Sequence, residues 1–493
     1  MALKLMIQGT MSNAGKSFFS AALCRIFYED GYSCAPFKSQ NMALNSYITS
    51  EGLEMGRAQA MQAEAACVEP SALMNPILLK PTSDIGSQVI VNGRVRGNMR
   101  ASEYFRNKKM FIPEIMSAFN ELDKKYDIIV IEGAGSPVEL NLKADDIVNM
   151  GMAKLANSPV LLVGDIDRGG VFAQLLGTLM LLEEDERQMV KGLVVNKFRG
   201  DKTLFDDGCR ILEERGGVPV AGVIPYIDCD IDDEDSLSDK LESRRQGVIS
   251  IIVIRLPRIS NFTDFDVFSQ YDGVSVTYAS KPSEVFGADM IIIPGTKSTI
   301  SDMKWLRESG IEAVVLRMAE KGIPIFGICG GYQMLGEMIS DPENTEGGGE
   351  IRGMGLLPCV TVFRSEKTRT QISGQMEMLT GPLSSLSGKA FSGYEIHMGE
   401  TMVKGNTISR FVNGTADGCN VKNIYGSYVH GLFDSIDISR EIVKSLFEAK
   451  GLTFGGKAMS RKEYKESQYR LLADSVRENI DMKLIYKILR EGI

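Results

Sequence analysis

Continuous apolar runs alternate with longer amphipathic stretches through the first half of the chain. Residues 3–7 (LKLMI) lead into a glycine loop. Residues 127–131 (DIIVI) lead into Glu132-Gly133-Ala134-Gly135, and 159–163 (PVLLV) into Gly164-Asp165. Residues 192–195 (GLVV) lead into Asn196-Lys197. A short apolar run without alternation predicts a strand covered on both faces, as in a parallel sheet. The Gly or polar residues after each run predict loops gathered at one sheet edge, so residues 1–230 predict a doubly wound α/β domain. Residues 228–246 (DCDIDDEDSLSDKLESRRQ) break the pattern with acidic and polar side chains, which predicts a linker over 231–247. A second α/β unit is predicted over 248–440, with strands at 248–254, 290–294 and 323–328. Lys, Glu, Arg and Leu dominate from about residue 436, predicting a helical extension over 441–493.

The first loop reads Gly9-Thr-Met-Ser-Asn13-Ala-Gly15-Lys16-Ser17 and opens a helical run. Backbone N–H groups of such a loop, with a helix N-terminus behind them, cradle phosphates. Lys16 suits the β/γ-phosphate charge and Ser17 a magnesium ion. Five residues separate Gly9 from Gly15, one more than in the common Walker A spacing. Three other loops point to the same edge: Lys38 in Pro36-Phe-Lys-Ser-Gln-Asn41, Glu132 as a carboxylate for Mg²⁺ or its water, and Asn196-Lys197, which resembles a purine-recognition turn. Each alone reads more readily as a solvated loop than as a site; together they favour an ATP site.

Residues 323–335 (IPIFGICGGYQML) carry a G-x-C-x-G core between an apolar run and a helical pattern. This is the context of a nucleophile elbow, with Cys329 at a helix N-terminus that favours thiolate. A lone cysteine is more often buried and inert, and the elbow is what lifts Cys329 above that reading. The Gly330 N–H, with amides around Gly295 in Pro294-Gly-Thr-Lys-Ser298, suits an oxyanion hole. His430 ends an apolar run in Gly426-Ser-Tyr-Val-His430 and pairs with Cys329 as a candidate base. Only one other histidine exists, His397. It reads equally as a structural group or as a residue facing the region between the lobes.

These motifs carry a resemblance. The glycine spacing and the EGAG loop resemble dethiobiotin synthetase and its relatives, which implies ATP, Mg²⁺ and an acyl phosphate. The cysteine elbow and distant histidine resemble type 1 glutamine amidotransferase domains of flavodoxin-like fold. That implies Cys329 as nucleophile, His430 as base, Gly295 and Gly330 at the oxyanion hole, and Gln333 in the glutamine pocket. Such domains commonly place Glu two residues after the histidine, where this chain has Leu432, so the group that orients His430 is open. The two lobes together resemble the cobyrinate amidases. The strings FKSQNMALNS (37–46), GDIDRGGVFA (164–173), NKFRGD (196–201), GYEIHMG (393–399) and GSYVHGLFD (426–434) resemble the cobyric acid synthase branch. That branch implies glutamine- and ATP-dependent amidation of the b, d, e and g carboxylates of adenosylcobyrinic acid a,c-diamide. Lys38, Arg168 and His397 are then candidates to meet the substrate.

Composition narrows the field without deciding it. The chain has 493 residues, 44% hydrophobic and 24% charged, with a net charge of -9. An acidic chain offers no general attraction for nucleic acid or an anionic membrane. The eight cysteines form no C-x-x-C pair, which argues against a disulfide or zinc framework and for a reducing cytoplasm. The open alternatives are a synthase acting on the a and c carboxylates or on another acid, and a partition-type ATPase switch with no use for Cys329 and His430. A membrane-bound C-terminal helix is disfavoured by its mixed charge.

Overall fold

The apolar runs of the N-terminal half become the centre of a parallel sheet. In the computed structural model, which describes residues 1–83, 86–231, 247–455 and 461–493, six strands lie in the order Val220–Pro225, Val190–Phe198, Val160–Asp165, Leu3–Gly9, Ile128–Glu132, Cys34–Phe37. All neighbours are parallel. Ile128, Ile129, Val130 and Ile131 are all fully buried. Such a run satisfies a layer on each face, each side chain contributing about 1.5–3 kcal/mol of transfer free energy. Register then does the functional work. Ile7 pairs with Glu132, Phe37 with Ile131 and Asp165 with Asn196, so the candidate loops leave the sheet along one edge. A smaller sheet of Gln40–Met42, Ile77–Ser83, Gly86–Val91 and Arg94–Arg100 belongs to the same unit.

The C-terminal half repeats the principle. Strands Val274–Ala279, Ile249–Ile254, Met290–Ile293, Ile325–Ile328 and Ile424–Ser427 are parallel in that order, with Cys419–Val421 antiparallel at the end. A second sheet is built on the long antiparallel pair Cys359–Met376 and Ala390–Val403. Two doubly wound α/β lobes are thus present, as the apolar pattern predicts.

The lobe boundaries differ from the expected ones. One compact unit comprises Met1–Ala43, Leu53–Asp232 and Tyr464–Ile493; the other comprises Leu44–Gly52 and Asp233–Glu463. The domain expected over 1–230 therefore gives up nine residues to the other unit. The extension expected over 441–493 is divided: helix Ile436–Ala449 stays in the amidotransferase-like unit, and Tyr464–Ile493 joins the first. The reason is packing. Tyr469, Leu472, Val476, Ile485, Ile488 and Leu489 are buried in one core with Leu5, Ile7 and Phe27. Arg25, almost wholly buried, holds Glu466 through both guanidinium ends. Gly222 meets Ile480 backbone to backbone, and a Cβ there would lie 2.4 Å from the Asn479 carbonyl oxygen. The expected linker, 231–247, falls almost wholly outside the described residues. Among the described residues, no helix is long and apolar enough to cross a membrane.

Ile485 is fully buried although it lies near the end of the chain. Ile485→Ala should lower stability by about 2–5 kcal/mol. The loss should appear in the urea transition of the N-terminal unit, and Ile493→Ala, at an exposed position, should leave that transition in place.

Candidate active sites

The phosphate loop is shaped by two glycines with distinct jobs. Gly15 has φ +93, and a Cβ there would sit 2.1 Å from the Asn196 side-chain nitrogen. Gly9 leaves room for Lys16, whose Cδ and Nζ would be 3.0 Å from a Cβ at that position. Lys16 folds over the loop, donating to the carbonyls of Met11 at 3.0 Å and Gly135 at 3.2 Å. Asn196 donates to Ala14 O at 2.9 Å. Lys197 donates to Asn13 O at 2.6 Å and to Asp165 at 3.0 Å. The expected purine turn is therefore tied to the phosphate loop through both side chains. Asn149 pins the EGAG loop, accepting from Ala134 N and donating to Ala134 O and Ser136 O.

Glu132 is the hub of this edge. It is fully buried, and accepts from Ser17 Oγ at 2.9 Å, from Lys38 Nζ at 2.8 Å and from Gln62 Nε2. A buried carboxylate persists only with such partners. The donor set also suits a divalent cation. The Ser17 hydroxyl touches the carboxylate, and Gln62 Oε1 is buried with no hydrogen-bond donor among the described residues. No described group of three or more His, Cys, Asp or Glu side chains could hold a metal alone. Mg²⁺ here would draw its remaining ligands from phosphate oxygens and water. Arg168 stands apart, exposed, with Nε 4.0 Å from Asp165.

In the second unit Cys329 follows strand Ile325–Ile328 and precedes helix Gly330–Leu335 with φ 50, ψ -108. A cysteine in this region stores backbone strain. The glycines beside it make the turn possible: a Cβ on Gly331 would lie 1.9 Å from Ile293 O, and one on Gly330 would lie 2.8 Å from the Thr296 methyl and 3.1 Å from Thr296 N. The Gly295–Thr296 turn and Gly330 thus lie side by side at the elbow. A Cβ on Gly295 would be 3.2 Å from the His430 ring.

His430 is fully buried and interacts with the Cys329 thiol. Its Nδ1 lies 2.6 Å from Asp264 Oδ2, and Gly431 N donates to Asp264 Oδ1 at 3.3 Å. The Tyr394 ring stacks on it at 5.4 Å, and the two residues exchange backbone hydrogen bonds. Burial alone would lower the imidazole pKa. The Asp264 charge and hydrogen bond, with Cys329 after them, outweigh it and raise the value to about 10. The expected absence of Glu at 432 has a simple cause: Leu432 is packed in the apolar core and Asp264 takes the orienting position from another segment.

Gln333 is held from within, accepting from Thr299 Oγ1 at 3.1 Å and donating to Tyr428 OH at 3.1 Å. His397 stacks on Tyr428 at 3.8 Å, with Nδ1 on Gly399 O at 2.8 Å and Nε2 3.4 Å from Glu395. It braces the Gln333 support. Thr299 N also donates to Glu346 at 2.8 Å, and burial pushes that carboxyl up to about 7. Beneath the oxyanion turn Asp302 accepts from Thr296, and burial raises it to about 6.

Comparison with known proteins agrees with this division. Residues 5–241 match the model of the CobQ/CobB/MinD/ParA nucleotide binding domain. Residues 250–438 match the CobB/CobQ-like glutamine amidotransferase domain. A cobyric acid synthase of Lachnoclostridium phytofermentans is 57% identical over the whole of both chains. One of Ruminiclostridium cellulolyticum is 55% identical over all of this chain and 98% of its own. One of Alkaliphilus metalliredigens is 52% identical over 98% and 99%. The chain belongs to the cobyric acid synthase family. Its family membership makes it a glutamine-dependent amide ligase with a nucleotide-binding lobe.

Asp264 is the residue that the motifs do not reveal. Its signal is faint: two aspartates, Asp264 and Asp266, alternating with Phe and Val in the Phe-rich turn Phe262–Gln270. Gln62 leaves no motif at all, and Tyr428, although inside the 426–434 string, carries no sign of its role there.

A pH profile tests the Asp264 pair. Because the His430 pKa is raised, the imidazolium and the stability it carries are fully present below the ordinary value of 6.5 and are lost as pH rises through about 10. The rate at which Cys329 reacts with iodoacetamide should therefore change as pH passes through about 10. Asp264→Asn keeps the shape and removes the charge, so that change should move to lower pH. An unchanged profile would assign the orientation of His430 to another group.

Proposed function

We propose that the chain converts the b, d, e and g carboxylates of adenosylcobyrinic acid a,c-diamide to carboxamides, giving adenosylcobyric acid, with glutamine as nitrogen source and ATP as driver. The observation that carries this reading is the pairing of two complete half-sites in one chain: a strained Cys329 with His430 and Asp264, and a phosphate loop with Lys16, Ser17 and Glu132. Identity above 50% over full length to curated cobyric acid synthases supports the choice of acceptor.

Each half-reaction follows from its side chains. The Cys329 sulfur attacks the carboxamide carbon of glutamine, and the oxyanion that forms lies toward the amides near Gly295 and Gly330. The His430 imidazolium gives its proton to the departing nitrogen, so that ammonia leaves and a thioester remains. His430, now neutral, takes a proton from water, which hydrolyses the thioester to glutamate. Asp264 keeps Nδ1 protonated and Nε2 directed at sulfur and substrate, the orienting role of a triad carboxylate. At the phosphate loop, a corrinoid carboxylate oxygen attacks the γ-phosphorus of ATP, with Lys16 on the transferring phosphoryl. ADP leaves, ammonia attacks the acyl phosphate, and phosphate departs. Ser17 and Glu132 would hold Mg²⁺, which shields phosphate charge when bound. Asn13, Gly15, Asn196 and Lys197 shape the loop, and Lys38 holds Glu132 in place. Arg168, exposed beside Asp165, is a candidate cation for substrate carboxylates.

Cys329→Ala should abolish glutamine-dependent amidation and retain amidation with ammonium salt at alkaline pH, where free ammonia is present. Loss of both in a folded protein would refute separate half-sites. Lys16→Ala should cut both activities by on the order of 10²–10³-fold, as expected for a lost transition-state clamp. Direct assay of amide formation on cobyrinic acid diamide, against small monocarboxylates, decides the acceptor.

A further inference from the structure

Residues 94–109 (RVRGNMRASEYFRNKK) concentrate positive charge in a chain whose net charge is -9: four arginines and two lysines stand against one acidic residue, Glu103. Arg94–Arg100 is the outermost strand of the smaller sheet in the nucleotide unit. Arg94, Arg96 and Arg100 are exposed, and their side chains have no hydrogen-bond or ion-pair partner among the described residues. Charges on an edge strand deter strand-to-strand association, but exposed groups alone serve that purpose.

Lys108 is different, because it is only 5% exposed. Its ammonium has no hydrogen-bond or ion-pair partner among the described residues, and Nζ lies 5.0 Å from the centre of the Phe105 ring. Burial lowers its pKa, and the charges of Asp146 and Asp145 act the other way. Those two carboxylates are engaged elsewhere. Asp145 pairs with Lys109 at 3.2 Å, and Asp146 accepts from the amides of Val148, Asn149 and Gly151. A buried ammonium without an anion is costly, and Lys108 therefore stands ready for a carboxylate from outside the chain.

This segment is joined to the phosphate edge within the same unit. Tyr104 OH donates to Gln40 Oε1 at 2.6 Å, and Gln40 stands two residues after Lys38, the partner of Glu132. Ser39 Oγ donates to the carbonyl of Ile147 at 2.7 Å, next to Asp146. Asn149 in turn pins the EGAG loop.

We propose that Lys108, with Arg94, Arg96 and Arg100, binds the carboxylates of the acceptor that are not reacting. This rests on the function proposed above and deepens it by assigning the acceptor site. In that reading the b, d, e and g carboxylates are amidated in turn at one phosphate loop. Each must leave the cations and enter the loop, so the site must recognise charge and tolerate several poses. Exposed guanidinium groups meet that need, and Lys108 supplies one fixed point. Each amidation removes a negative charge, so the hold on the corrinoid weakens as the sequence proceeds.

The test is equilibrium dialysis of the full chain against adenosylcobyrinic acid a,c-diamide, followed by the visible absorption of the corrinoid, which gives Kd without turnover. Lys108→Met keeps the stem and removes the charge. It should raise Kd at least about tenfold, as for a lost hydrogen bond to a charged group. Its urea midpoint should hold or rise, since an unpaired buried charge is gone. Changing Arg94, Arg96 and Arg100 together to Gln should raise Kd about fivefold at low salt, and the difference from wild type should vanish near about 1 M salt. ATP binding should be the same in all three proteins. An unchanged Kd in either variant overturns the proposal, as does a wild type that binds no diamide. A lowered urea midpoint in Lys108→Met overturns it by making Lys108 a structural group, and loss of ATP binding in either variant does so because the damage would not be confined to the acceptor. Ammonia-dependent amidation by wild type checks the function separately: a chain that binds the diamide as described and leaves it unamidated keeps the site and loses the function.

Discussion

A carboxylate taken out of water must find donors for its oxygens, and that constraint organises both reactive centres of this chain. Glu132 is buried among Ser17, Lys38 and Gln62. Those partners come from the phosphate-loop helix, the next strand and a second helix, so satisfying one side chain fixes three elements. Asp264 is buried against His430 and the Gly431 amide. Removing one partner from such a pair leaves an unpaired buried charge, a penalty of about 3–5 kcal/mol. The same side chains that make the chemistry plausible are those the fold cannot release cheaply.

Parallel strands supply the other half of the design. Their covered faces need only apolar runs, and their C-terminal ends bring loops from distant sequence to one edge. In the first unit this aligns Gly9, Lys38, Glu132, Asp165 and Asn196. In the second it sets Gly295 beside Gly330 and brings Ser427 next to Ile328, so that His430 arrives three residues later at the elbow. Positive φ at non-glycine residues marks the points of use, at Cys329 and at the turns bearing Lys197 and Asn261, and it also occurs at turns away from both centres, such as Asn92 and Lys422.

The unusual feature is the exchange of short pieces against the order of the chain. Leu44–Gly52 and Tyr464–Ile493 each join a unit remote from their neighbours in sequence. The first brings the stretch after Lys38 to the residues around His430. The second completes the core of the nucleotide unit with Ile485 and Leu489.

Much of the candidate site was legible in the residues themselves. The phosphate loop and the cysteine elbow are local: Gly, Lys, Ser and Cys stand within a few positions, and the backbone geometry they need is dictated by sterics at those glycines. The four apolar runs announced the first sheet for the same reason. Asp264 was not legible, because it reaches His430 across 166 residues, and the packing of Phe265 and Phe268 on Phe433 brings the two segments together. His397 has the same composition-level signal as His430, yet its ring closes on Tyr428 and Gly399. The C-terminal helices were legible from their Lys, Glu, Arg and Leu content, but a helical composition says only that some face must be covered. Which core covers it is a question of complementary surfaces, and that was decided by the tertiary structure alone.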